Sequence, residues 1–395
     1  MNKSIYIDAN NKLENFLDSK ISDYSKYRNY DYGEENPHKI VSGLSSYISH
    51  GIIKEMDILD RLKKSNKNSE KFKQEILWRT YWKGWLEQNI IVWESYKKKI
   101  NFYKEYIETK KINSTYYLAI NGKTSIKPYN LWVKQLRITG YLHNHARMWF
   151  ASIWIHYLGL PWELGANFFI ENLLDGDIAS NTLSWRWVAG IQTKGKAYIA
   201  IKANINKYTL NRFTEFDLPK IKERPITEEK RVLNKLNYEI DFNFNKKNKL
   251  CIFVLENNLN IKFIEKNRYY ISEIIIIRFS LNGINKNKII NEFRDKACED
   301  FSYLCKELNI EVSSFNIERQ STDLIKYLNK KNNKIIITEY IPVSYEKDLI
   351  LCLKKKLDQS SIYIIELLDP FYTKTWSYCN KGYFNFKKNF DKFNS

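Results

Sequence analysis

The chain has 395 residues, 44% of them apolar and 15% aromatic, and carries a formal net charge of +19. That length supports two cores, and no apolar run approaches the about 20 residues that a membrane-spanning helix needs. The opening segment, MNKSIYIDANNKLENF, has no apolar core of the kind a secretory signal uses. The five cysteines (Cys251, Cys298, Cys305, Cys352, Cys379) are odd in number and lack metal-ligand spacing, so reduced thiols in a cytoplasmic protein are expected. Residues 1–250 hold 41 basic and 27 acidic residues, against 23 and 18 in the remainder. A basic first part suits a polyanionic partner, most simply nucleic acid, although a lysine-rich solvated surface would give the same excess.

Residues 1–213 read as helical: Gly and Pro are sparse, and apolar residues recur at spacings of three and four, as in Ile76, Leu77, Tyr81 and Trp85. Ten of the eleven tryptophans fall between Trp78 and Trp187. Four segments carry chemistry. In VSGLSSYISHGII (41–53), Ser42, Leu44 and Ser45 open a helix whose free backbone donors and hydroxyls suit a phosphate, although an ordinary serine-capped helix reads the same way. In QEILWRTYWKGWL (74–86), Glu75, Trp78 and Arg79 share one helical face, where core packing is the plain alternative for the indoles. Asn144, Arg147 and Met148 repeat that spacing in TGYLHNHARMWFAS (139–152), and His143 and His145 are poorly placed to share a metal. The run DGDIASNTLSWRW (175–187) sets two acids beside a glycine without the further oxygens of a calcium loop, so no metal is expected.

Residues 214–248 are polar, contain two prolines and read as a linker. Beyond them, CIFVLE (251–256), EIIIIRF (273–279), IEVSSF (310–315), KIIITEY (334–340) and IYIIELL (362–368) read as buried strands. Helical patterns at Lys288 to Leu308, Thr322 to Leu328 and Tyr345 to Leu357 alternate with them, which predicts a parallel sheet over 249–395. No GxGxxG follows the first strand, so no dinucleotide is assigned there.

The stretch Gly140 to Trp187, with the Ser42–Ser45 turn and the Glu75–Arg79 face, resembles the flavin-binding domain of DNA photolyases and cryptochromes. The resemblance implies an all-α FAD-binding domain followed by an α/β Rossmann-like domain. Members usually carry these in the opposite order, so a rearranged, permuted architecture is expected. It implies that FAD is held by Ser42, Leu44, Ser45, Arg79, Arg147, Asp175, Asp177 and Asn181. Asp175 would balance Arg147, and Asn181 would face the ring nitrogen that gains a proton on one-electron reduction. Glu75, Trp78, Asn144, Met148 and Trp187 would form a pocket for a cyclobutane pyrimidine dimer. Trp185 and Trp162 would relay electrons to the flavin; the relay's third tryptophan is absent from its usual place, with Tyr103, Tyr106 and Trp154 as the nearby substitutes.

The function so implied is light-driven repair by a photolyase, a carbon–carbon lyase acting as a monomer on DNA that contains pyrimidine dimers. Departures at His145 and in the relay keep a cryptochrome-type photoreceptor as the alternative, and a flavin-free helical DNA-binding protein is a third reading. Nothing in the α/β half specifies a second, antenna chromophore.

Overall fold

The computed structural model describes residues 4–394 except 66, 110–111, 194, 223–232, 235, 237–248 and 281–286. Most of the expected linker at 214–248 thus lies outside the described residues. From Ile5 to Tyr208 the chain is helical, and from Leu250 onward it alternates strand and helix. No described helix is long and apolar enough to cross a membrane.

The five strands predicted from sequence all form: β1 (Leu250–Leu255), β2 (Ile271–Arg278), β3 (Glu311–Asn316), β4 (Ile335–Glu339) and β5 (Tyr363–Leu367). They pair in parallel, in the order β3-β2-β1-β4-β5. Isoleucine-rich runs suit this position because a parallel sheet is covered on both faces, and Ile274 to Ile277 are all buried. The order reverses between β1 and β4, so the loops leaving these two strands part at their carboxyl ends. Several helical elements of this half differ from expectation, among them helix Tyr383–Asn394, where the sequence resembles a linker. The helix predicted at 322–328 runs over Ile317–Lys330, because the Asn316 side chain caps it earlier by accepting from the Glu318 and Arg319 amides. Helices Ile261–Asn267 and Pro370–Trp376 were not predicted; each spans only seven residues, too short for a clear period.

The two halves are joined by packing and buried polar contacts. Helix Pro370–Trp376 lies along helix Glu70–Gln88, and Gly84 makes this possible: a Cβ there would sit 2.6 Å from Trp376 and 2.7 Å from the Cys379 sulfur. Beside it, Lys83 Nζ lies 2.8 Å from Glu55 Oε1, and the Tyr372 hydroxyl donates to Glu55 Oε2 at 2.8 Å. Glu87 is buried against the α/β half, accepting from the Tyr340 hydroxyl at 2.8 Å and the Val343 amide at 2.6 Å. Burial pushes its carboxyl up to about 7, against the pull of those two donors.

Candidate functional site

Four helical segments converge on one polar cluster. Arg79, on helix Glu70–Gln88, donates to the Ser49 hydroxyl at 3.0 Å and lies 3.4 Å from Asp177 Oδ2. Ser49 in turn donates to the Asp175 carbonyl at 3.1 Å, tying the 41–53 segment to the acidic loop. Arg147, on helix Asn144–Ser152, sets its Nε on the Leu142 carbonyl at 2.9 Å and its Nη1 on Asp175 Oδ2 at 3.0 Å. Asp177 caps helix Ile178–Val188 by accepting from the Ser180 amide at 2.7 Å. One turn on, Asn181 donates through Nδ2 to the Ala166 carbonyl at 2.9 Å, which leaves its oxygen as the acceptor it can offer.

The electrostatics follow from burial and pairing. Burial alone would push the Asp175 carboxyl up. The Arg147 charge and hydrogen bond, helped by Arg79 and the nearby Ser45 hydroxyl, outweigh it and hold the carboxyl below the ordinary aspartate range. Asp175 Oδ1 nevertheless lies buried without a hydrogen bond of normal geometry. A charged acceptor with a spare oxygen calls for a donor from a ligand, because an unmet buried charge is expensive. A flavin ring, with its N–H edge and conjugated carbonyls, offers both donors to the aspartates and acceptors to the arginines. The donor set therefore fits FAD. A cavity of about 130 Å³ runs from Ser49 and Asp177 across to Tyr340 and Glu346 in the α/β half.

The serine turn is tighter than a simple helix start. Helix Ser45–Ser49 has five residues, and the Ser42 hydroxyl accepts from the Leu44 amide at 3.4 Å. Gly43 adopts φ +67°, and a Cβ there would meet the His38 ring at 3.1 Å, so a side chain at this position is strained. Leu44 is fully buried and anchors the turn.

The expected lesion-pocket residues are differently engaged. Glu75 Oε1 pairs with Arg28 Nη1 at 2.6 Å, and burial still raises its carboxyl despite that charge. Trp78 stacks face to face on Tyr383, with centroids 3.6 Å apart and planes 7° from parallel. Trp187 is half-buried and stacks on Tyr198 at 5.6 Å. Asn144 is exposed at the first turn of its helix and Met148 is half-buried. His145 stacks on Trp149 at 4.5 Å, and its Nδ1 meets the Asn29 carbonyl at 2.9 Å. Trp185 and Trp162 are both buried, but their described ring contacts diverge: Trp185 meets Trp154, and Trp162 meets Tyr96. Sequence reasoning missed Arg28 and Tyr383, which reach helix Glu70–Gln88 from 47 and 305 residues away. It also passed over Ser49, whose place in the serine-rich 41–53 run was the one available signal.

The family model described as the FAD binding domain of DNA photolyase matches residues 72–212. A deoxyribodipyrimidine photo-lyase of Buchnera aphidicola subsp. Acyrthosiphon pisum is 30% identical over 210 residues, covering 49% of this chain and 40% of the relative. One from Vibrio cholerae is 26% identical over 199 residues, covering 48% and 40%. A cryptochrome DASH of Idiomarina loihiensis is 39% identical over 71 residues, 18% of this chain and 16% of the relative. The chain spans about two-fifths of the length of these photo-lyases.

Proposed function

Because the helical half of this chain belongs to the photolyase/cryptochrome family through its FAD-binding domain, we propose that the protein is a light-driven flavoenzyme that splits cyclobutane pyrimidine dimers in DNA. The observation that carries the flavin part is the doubled Arg–Asp arrangement, Arg147 with Asp175 and Arg79 with Asp177, beside the unpartnered Asp175 Oδ1. When bound, reduced flavin supplies the light-driven electron that cleaves the dimer and recovers it afterwards. The chain's own residues do the rest. Arg147, Asp175, Arg79 and Asp177 fix the ring edge, and Ser42 and Ser45 lie on the turn that would meet the phosphates. Asn181 offers an oxygen without a negative charge where a proton is gained. Glu75, Trp78, Asn144, Met148 and Trp187 are the groups assigned to the extruded dimer, with an indole as its stacking platform.

One observation favours the photoreceptor alternative. Tyr383 already covers a face of Trp78, and Glu75 is engaged by Arg28, so two of the groups assigned to the dimer have partners within the chain. Illumination of chemically reduced protein with dimer-containing oligonucleotide separates the readings. Loss of dimer in light and not in darkness supports repair. No loss, together with equal affinity for damaged and intact DNA at every salt concentration, rejects repair in favour of signalling.

A further inference from the structure

Resting on the flavin reading above, we propose that electrons reach the flavin through Trp185, Trp154, Tyr116 and Tyr117, in place of the Trp185–Trp162 route implied by the resemblance. The Trp154 ring lies 6.2 Å from Trp185, edge to face at 86°. Tyr116 lies 6.0 Å beyond Trp154 at 88°, and Tyr117 lies 5.6 Å beyond Tyr116. Tyr117 is 45% exposed, whereas Trp185 is 2% and Trp154 0% exposed, so this run of rings leads from the core to solvent.

Two features of the fold build the central step. Residues Ile153–Tyr157 form a π-helical turn that carries Trp154. Gly165 supplies the space between the indoles: a Cβ there would lie 2.3 Å from Trp185 and 3.0 Å from the Trp154 indole nitrogen. The Trp154 N–H donates to the Pro161 carbonyl at 2.8 Å, a weak base that leaves the proton on the indole when the ring is oxidised. Among the described residues Trp162 makes no ring contact with Trp185: its ring neighbour is Tyr96 at 5.7 Å, followed by Trp93 at 5.3 Å and the half-buried Tyr345 at 4.7 Å, with no exposed ring at the end.

The steps balance. Trp185 would give one electron to the photoexcited oxidised flavin and Trp154 would refill Trp185; Tyr116 refills Trp154, its phenolic proton leaving to water at the half-buried ring, and takes back one electron and one proton when Tyr117 refills it. Tyr117 releases its phenolic proton to water as it is oxidised. A soluble thiol then returns one electron and one proton to Tyr117 and is itself oxidised to a thiyl radical. Tyr117, the more exposed of the two phenols, is where the thiol meets the radical.

Wild type, Trp154→Phe, Trp162→Phe and Tyr117→Phe are compared as oxidised holoproteins, after flavin absorbance and circular dichroism are recorded. Each is flashed with blue light with and without thiol, while flavin bleaching, transient radical absorbance and the electron-spin-resonance spectrum are followed. Trp154→Phe should lose most photoreduction. Tyr117→Phe, at an exposed position that does not threaten folding, should lose the long-lived tyrosyl signal and most of the thiol-dependent yield. Wild-type photoreduction in Trp154→Phe, an unchanged tyrosyl signal in Tyr117→Phe, or a loss confined to Trp162→Phe would each overturn the route. Wild type without flavin absorbance would overturn the function proposed above and this route with it.

Discussion

Replacing Asp175 by Asn keeps the shape of the side chain and removes its charge, so it tests the polar cluster at its centre. In the wild type, Arg147 Nη1 and Asp175 Oδ2 are 3.0 Å apart, with side-chain exposures of 23% and 7%. The gross attraction at that distance is about 5 kcal/mol at an effective dielectric of about 20, before desolvation is subtracted. Breaking a fully buried pair typically costs about 3–5 kcal/mol. Arg147 keeps its bond to the Leu142 carbonyl and about a quarter of its exposure, so the expected loss of stability falls at the lower edge, about 3 kcal/mol. Flavin binding should suffer separately. Turning a charged acceptor into a neutral one removes about 1–1.5 kcal/mol from its hydrogen bond, which is roughly 5–13-fold in Kd. Denaturant unfolding of the flavin-free proteins gives the first quantity, and titration with FAD gives the second. The wild-type carboxyl is held below its ordinary range, so its contribution is complete above that range and is lost as pH falls through the depressed folded-state value. The Asn variant should lack this acid-sensitive part. A variant with unchanged stability and unchanged FAD affinity would refute the assignment of Asp175.

At the junction between the halves, Lys83→Met should cost about 3–5 kcal/mol by leaving buried Glu55 without its cation, whereas Lys83→Met with Glu55→Gln should recover most of it. The Glu55 carboxyl is held at about 2 because Lys83 and Arg79 outweigh its burial; its stabilisation is therefore present above the ordinary glutamate value and lost as pH falls toward 2. Thermal melts as a function of pH check this, and a double variant as unstable as the single would contradict it. Asn181→Asp should place a carboxylate where the ring takes up charge, lowering the flavin midpoint potential in a potentiometric titration; an unchanged potential would remove Asn181 from the site. Trp78→Ala should cost about 1–3 kcal/mol on dimer-containing DNA and little on intact duplex, while affinity for both falls as salt rises. Tyr383→Ala should free the indole face and raise the preference for damaged DNA; no change in paired binding curves would mean that the other face of Trp78, or neither, meets the base.

Helix and strand assignments were legible in the sequence wherever a period ran long enough to repeat. Glu75, Trp78 and Arg79, and again Asn144, Arg147 and Met148, could be placed on common faces because spacing along a helix is a local property. The five strands could be read from their isoleucine-rich runs for the same reason. The Arg147–Asp175 pair came from the resemblance, and the tertiary structure brings the two side chains to 3.0 Å. What only the tertiary structure decided concerns partners distant in the chain. Arg28 reaches Glu75 and Tyr383 covers Trp78 because separate helices dock on helix Glu70–Gln88, and nothing in the local pattern encodes which helix arrives. The strand order depends on which faces the intervening helices cover. Trp154 could be named from sequence as a nearby substitute in the relay, but only the tertiary structure shows its ring 6.2 Å from Trp185, in the space that Gly165 leaves.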